Sequence, residues 1–259
     1  MGDVGRKVTI TMNNEIIQIN NVSKIFGKGK EQVVALENIN LSVQEGEFTV
    51  IIGPSGCGKS TLLYLLAGFD EPTSGEILLD GQVIQKPGPD RGFVFQDYAL
   101  FPWKTVIGNV MFGLQQNGHS KKDAREIAQH YVELVELQGF ENAYTHTLSG
   151  GMKQRVGIAR ALAYDPKVLL MDEPFGALDA QTRKNLQGAL VEIWQQTKKT
   201  VLFVTHSVPE AVFLADRIAV MQPRPGKVRE AIDVNLPRPS GDEADDVVAI
   251  RRQVLGLLE

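Results

Sequence analysis

The 259-residue sequence predicts an α/β fold: a parallel sheet flanked by helices, an antiparallel β-region beside it, and an inserted helical segment. Three observations predict it. Glu47-Phe48-Thr49-Val50-Ile51-Ile52, rich in strand formers, leads into a glycine loop and then into Thr61-Leu62-Leu63-Tyr64-Leu65-Leu66-Ala67, apolar at helical spacing. Two short apolar runs, Val168–Met171 and Thr200–Thr205, alternate with helical patterns further on, as buried parallel strands do. Between Gln96 and Gly150 the periodicity is helical, which interrupts that alternation.

The elements follow in order. Ile16–Ile19 reads as a strand, Asn20-Asn21-Val22-Ser23-Lys24-Ile25-Phe26 follows it, and Gly27–Glu31 reads as a turn. Val33–Val43 partly alternates apolar and polar residues, the period of a half-buried strand. Gly68 stops the first helix. Glu76–Leu79 and Gln82–Ile84 flank Asp80-Gly81, the favoured hairpin turn. Gly92–Phe95 is a short strand. Residues 105–116 and 120–137 are helical, with Ser120 as a candidate cap. A helix opens at Gly150-Gly151 and runs to about Ala163; others span about Ala180–Gln196 and 207–215. Ile218–Met221 and Lys227–Ile232 read as closing strands. A last helix, near 244–258, carries Val247, Ile250, Val254 and Leu258 on one face, a face for a core or for a partner. Residues 1–14 read as a disordered lead, 15–235 as one phosphate-binding domain with a helical subdomain at about 97–160, and 236–259 as a tail with a helix.

Composition narrows the classes. Hydrophobic residues at 43% suffice for a core, and the net charge of −4 argues against a nucleic-acid partner. A single cysteine excludes an intrachain disulfide and fits a reducing compartment. No apolar run approaches the ~20 residues of a membrane span, and the N-terminal charges are followed by no apolar core of a secretory signal. A cytosolic protein is expected, meeting a membrane only through a partner.

Gly53-Pro54-Ser55-Gly56-Cys57-Gly58-Lys59-Ser60-Thr61 is a complete G-x-x-x-x-G-K-[ST] loop in the strand–loop–helix context it needs. Its glycines let backbone N–H groups converge on phosphate oxygens at a helix N-terminus. Lys59 can reach β- and γ-phosphates, and Ser60 can ligate Mg²⁺. Val168–Met171 then delivers Asp172 and Glu173 at a strand end, where ligands sit in open α/β sheets. Asp172 suits the Mg²⁺ shell, and Glu173 suits the water that attacks a phosphate. Leu148-Ser149-Gly150-Gly151-Met152-Lys153-Gln154-Arg155 opens a helix with a hydroxyl and free N–H groups. From the residues alone this is either an anion site or a capped helix start.

These motifs together resemble the ATP-binding subunit of an ABC transporter, over roughly residues 15–235. The resemblance implies a P-loop ATPase core that binds ATP and Mg²⁺. Leu148-Ser149-Gly150-Gly151 resembles the family signature, departing at Met152, where glutamine is commoner. It implies that Gln96 is the Q-loop glutamine sensing Mg²⁺ and the attacking water. It further implies that Gly176-Ala177-Leu178-Asp179 is the D-loop, that His206 is the switch histidine and that Phe26 stacks on adenine. Cys57, within the loop beside Lys59, is expected to form a thiolate if exposed. Phe95–Trp103, His206–Val212 and Arg224-Pro225-Gly226 resemble loops of the nitrate, sulfonate and taurine importers. The same resemblance implies a homodimer or paired ATPase subunit, with the signature acting in trans. It also implies integral membrane permease subunits at the cytoplasmic face of the membrane and, indirectly, a solute-binding protein. An assembly-factor ATPase without transport is the alternative. Trp103 would line the permease groove or pack in the core.

Overall fold

The structure, a computed structural model, describes residues 14–236 and 244–259. The expected disordered lead, apart from Asn14, and the Pro237-Arg238-Pro239 stretch lie outside the described residues.

The parallel sheet is built from strands that are buried on both faces. β3 (Phe48–Ile52), β7 (Val168–Asp172) and β8 (Thr200–Thr205) have no exposed residue. Their side chains alternate with the two-residue period of a strand. Phe48, Val50 and Ile52 enter one core with Leu169, Met171, Val201 and Phe203. Ile51, Val168, Leu170, Leu202 and Val204 enter the other. Such strands read as continuous apolar runs, because each face is covered by other elements. β6 (Arg91–Val94) pairs parallel with β7, and β9 (Arg217–Gln222) parallel with β3. β10 (Lys227–Asp233) closes the edge antiparallel to β9, giving the order β10-β9-β3-β8-β7-β6.

The second sheet is antiparallel, in the order β2-β1-β4-β5. β1 (Glu15–Phe26) is longer and more continuous than the sequence pattern suggests. The Asn20-Asn21 pair does not end it: Asn21 takes φ 51°, and the register with β2 (Val33–Gln44) shifts between Ile19 and Val22. A bulge absorbs the extra residue. β4 (Ser74–Leu79) and β5 (Gln82–Val83) form the Asp80-Gly81 hairpin.

Between the two sheets lies α1 (Lys59–Ala67). Leu62, Leu63, Leu65 and Leu66 are all buried there, so the helix is apolar nearly all round. Each such leucine contributes about 1.5–3 kcal/mol on burial. Gly68 ends the helix in the left-handed region at φ 72°.

α2 (Val106–Gln116), α3 (Lys121–Leu134) and α4 (Gly150–Leu162) pack on one another. Each has a side-chain N-cap: Thr105, Ser120 and Ser149 accept from the N–H groups of Gly108, Asp123 and Met152. α5 (Ala180–Thr197) and α6 (Val208–Leu214) cover the sheet's first core. α7 (Asp245–Leu258) packs on α6 and β9. Its Val247 and Val254 are buried in that core, with Ile250 and Leu258 against it, so the apolar face is core.

Candidate functional site

β3 ends at Ile52, and residues 53–58 bridge it to α1. Gly58 holds φ 92°, and a Cβ there would lie 2.6 Å from Leu36 Cδ2 and 2.9 Å from Ala35 O. Glycine is therefore demanded by both backbone and space. A cavity of about 410 Å³ opens over the loop. Val33, Val34 and Ala35 wall one side; Ser55, Gly56 and Gly58–Thr61 line it, with Glu173 and Arg224. Pro54 lies exposed between Gly53 and Ser55.

The polar groups converge at the carboxyl ends of β3, β7 and β8. Lys59 is buried, its Nζ donating to Gly53 O at 2.8 Å and Pro54 O at 3.1 Å, and lying 3.8 Å from Glu173 Oε1. Ser60 Oγ donates to Asp172 Oδ1 at 2.9 Å. Burial pushes the Asp172 carboxyl above the usual range; the Ser60 hydroxyl opposes this, and less strongly Lys59 and the Tyr64 hydroxyl. Glu173 follows at φ 40°, a strained position for a side chain of its size. His206 Nδ1 meets Glu173 Oε2 at 2.9 Å with the carboxylate as acceptor, and Nε2 has no hydrogen bond among the described residues.

Gln96 lies just past β6, exposed. A Cβ on Gly176 would stand 3.5 Å from its Nε2 and 4.0 Å from Glu173 Oε2, so the amide reaches the Glu173 side of the site across that glycine. Asp179 caps α5, accepting from Thr182 N at 3.0 Å, and the backbone N–H of Thr182 holds its carboxyl below the usual range. Phe26 is 43% exposed, so it is not core; Lys24 Nζ lies 5.0 Å from the centre of its ring. Ser149, Gly150, Gly151 and Met152 do not line the cavity over the phosphate loop among the described residues.

Oxygen donors suit a hard divalent cation. Mg²⁺ takes one or two carboxylates plus substrate phosphates, and the Ser60–Asp172 pair beside the phosphate loop fits that requirement. No cluster of three or more His, Cys, Asp or Glu side chains able to hold a metal occurs among the described residues.

One expectation is corrected. Cys57 is 0% exposed, and burial pushes its thiol up, outweighing the Lys59 charge and the loop's amides. A Cβ on Gly53 would lie 2.6 Å from its Sγ, so the thiol packs beneath the loop. It is not a poised thiolate. Trp103 is resolved the other way: at 70% exposure it is no core residue. It flanks Phe101, whose ring packs on Phe112.

Sequence reasoning missed three supports. Tyr64 lies four residues after Ser60, on the same face of α1, which is a signal that could have found it. Arg160 on α4 donates to Tyr98 O at 3.0 Å and Ala99 O at 2.5 Å, holding a turn in which both residues have positive φ. Glu210 accepts from Gln187 Nε2 at 2.9 Å and from the Thr205 hydroxyl, while Thr205 Oγ1 accepts from Ser207 N, so the network braces the turn carrying His206. The Arg160 contact has no local signature, whereas Glu210 stands at the fourth place of a Ser-x-x-Glu helix start, which could have drawn attention to it.

A family profile described as ABC transporter matches residues 36–176. An uncharacterized ABC transporter ATP-binding protein of Methanocaldococcus jannaschii is 52% identical over 243 residues, covering 94% of this chain and 91% of its own. The aliphatic sulfonates import ATP-binding protein SsuB of Bacillus cereus is 49% identical, over 94% of this chain and 96% of its own. The nitrate import ATP-binding protein NrtD of Synechocystis is 52% identical, over 88% and 84%. Among solved structures, a dimeric ATP-binding cassette in a post-hydrolysis state with ADP and Pi superposes with TM-score 0.74 at 35% identity, covering 85% of this chain and all of its own.

Proposed function

The chain belongs to the ABC transporter family, and from that premise we propose that it is the ATP-hydrolysing subunit of an importer for a small anion such as nitrate, a sulfonate or taurine. The observation that carries the enzymatic part is the convergence of Lys59, Ser60, Asp172, Glu173 and His206 at the carboxyl ends of three adjacent strands. The solute class is supported by the relatives' names.

ATP lies with its phosphates over residues 53–61 and its base against Phe26 and the Val33–Val34 wall. Lys59 turns its ammonium from the loop carbonyls to the β- and γ-phosphates. Ser60 and Asp172 would hold Mg²⁺, which neutralises developing charge on the phosphate oxygens when bound. Glu173 orients the attacking water and takes its proton, and His206, fixed through Nδ1, presents Nε2 to the γ-phosphate. Gln96 approaches the same water from across Gly176. The signature, Ser149 to Met152, completes the site of a second copy, which is consistent with its distance from this chain's cavity lining and with dimeric relatives. Asp179, at the D-loop, caps the helix that carries Gln187.

No helix among the described residues is long and apolar enough to cross a membrane. Membrane association then comes through a permease at the cytoplasmic face, fed by a solute-binding protein. Trp103 is exposed and its ring meets that of the half-buried Phe101, a few residues past Gln96 in the chain, and aromatic residues are enriched at interface centres. Nothing in the site favours an assembly factor over a transport motor.

Glu173→Gln tests the reading. It should keep ATP binding and lower turnover by ~10²–10⁴-fold, the usual contribution of a general base. Near-normal hydrolysis by the variant would reject the assignment. Uptake of nitrate against alkanesulfonates in proteoliposomes holding the subunit and its co-purified permease separates the solutes.

A further inference from the structure

The cavity over the phosphate loop has a second cation on its wall. Arg224 lies in the turn joining β9 to β10 and lines the same cavity as Ser55, Gly56, Lys59 and Glu173. The topology places it there. β9 runs parallel to β3, so the turn after β9 leaves the sheet at the end where the phosphate loop begins. Gly226 pins the turn in place. Its N–H donates to Ala35 O at 3.1 Å, and its carbonyl accepts from Glu37 N at 2.9 Å. A Cβ at Gly226 would stand 2.2 Å from Cys57 O and 2.7 Å from Ala35 O, so only glycine lets the turn seat against the loop's own backbone.

Arg224 itself sits at φ 56°, in the left-handed region where glycine is the cheaper residue. The turn is thus better served by glycine, and the arginine has a cost to offset. Its guanidinium makes no ion pair and no side-chain hydrogen bond among the described residues, although it is exposed beside an anion cradle. Guanidinium is the side chain best matched to phosphate, which it can grip with two parallel N–H bonds.

We propose that Arg224 binds the polyphosphate chain of the bound nucleotide at the end nearer the base. This rests on the ATP-binding reading above. The position along the chain follows from neighbours. Lys59 lies 3.8 Å from Glu173, at the hydrolytic end. The Arg224 turn instead abuts Ala35, which continues the apolar Val33–Val34 wall toward the base. A cation there meets the α- and β-phosphates, which ATP and ADP share, rather than the γ-phosphate.

The test is equilibrium binding of ATP, ADP and adenosine to the full chain, by displacement of a fluorescent nucleotide. Arg224→Ala and Arg224→Gly should each weaken ATP and ADP by the same factor, about tenfold, as expected for one lost charge-assisted contact. Adenosine affinity should not change. Arg224→Lys should recover part of the loss, because it keeps the charge without the fork. Arg224→Gly suits the backbone, so its melting temperature should equal or exceed that of the parent, which separates lost binding from lost fold. ATP and ADP affinities unchanged in both variants would overturn the proposal, and so would a loss confined to ATP, which would move the contact to the γ-phosphate. Lys59→Ala is the reference. A parent chain that binds no ATP would sink the ATP reading itself, whereas ATP binding lost in Lys59→Ala but kept in Arg224→Ala would sink only the role of Arg224.

Discussion

Glu210 should make the stability of the free subunit fall as pH rises, and Glu210→Gln should remove that dependence. The carboxylate is 6% exposed. Burial is the largest influence on it and raises its pKa; hydrogen bonds from Thr205 and Gln187 and the charges of Arg183 and His206 oppose the rise without cancelling it. The folded chain therefore binds a proton here more tightly than the unfolded chain does. Stability from this group is fully present below the ordinary glutamate pKa and is lost as pH rises through the folded value. One proton at most is involved, so the slope cannot exceed about 1.4 kcal/mol per pH unit. For a chain of this size that is at most roughly 3–6 °C in melting temperature per unit. Glutamine keeps an acceptor for the Gln187 amide and an amide for the Thr205 oxygen but cannot titrate. The assay is thermal denaturation of the nucleotide-free protein at a series of pH values from about 5 to 8. Parent and variant should agree at the acid end, and the variant should gain on the parent toward the alkaline end. Repeating the pair in a His206→Gln background removes the influence of the facing imidazole on Glu210. A difference that is constant with pH, or that reverses sign, would refute the reasoning. Glu210→Ala should instead be destabilised at every pH, by about 1–3 kcal/mol for each buried polar group left without its partner.

Cys57 should resist maleimide in the folded protein and react only on denaturation; rapid modification under native conditions, blocked by nucleotide, would contradict its burial. Trp103→Ala should leave the melting temperature of the isolated subunit nearly unchanged while weakening co-purification of the permease, because the side chain is exposed; a large drop in melting temperature would count against a docking role. In a Cys57→Ser background, Ser55→Cys with Ser149→Cys should give oxidative dimers on a non-reducing gel in the presence of ATP, since a disulfide requires Cα atoms roughly 4.4–6.8 Å apart. An intrachain bond without dimers would exclude a site completed in trans.

The sequence made most of this fold legible because its signals are local. Asp80-Gly81, Gly68, Ser120 and Ser149 each act within a few residues of themselves, and the turn, stop and caps stand where the sequence places them. Strands buried on both faces announce themselves as unbroken apolar runs, which is why β7 and β8 are legible to within a residue. The site residues are legible for a different reason. Each ends a strand or opens a helix, and the topology of a parallel sheet gathers such ends at one edge. Legibility fails where a side chain's chemistry is decided by residues far along the chain. Ser60 meets Asp172 across 112 positions, and Arg160 grips carbonyls 61 and 62 positions away. No spacing rule reaches that far.

Cys57 marks the boundary most sharply. From sequence, the visible influences are Lys59 two residues on and the amides of the loop, and both lower a thiol pKa. Their sign is right: each pulls the group down. What sequence cannot weigh against them is how deeply the sulfur sits, and that is set by Gly53 beside it and by the backbone of Met221, over 160 residues away, against the same glycine. Burial is the largest influence, and the thiol stays protonated. The same comparison runs the other way at Arg224. Its turn also touches the loop from a distant strand, but its side chain stays on the wetted wall of the cavity, where desolvation is slight and its charge remains available to a phosphate. Two side chains at one loop, one belonging to it and one reaching it from the turn after β9, thus take opposite roles, one as packing and one as a charge, and depth beneath the loop decides between them.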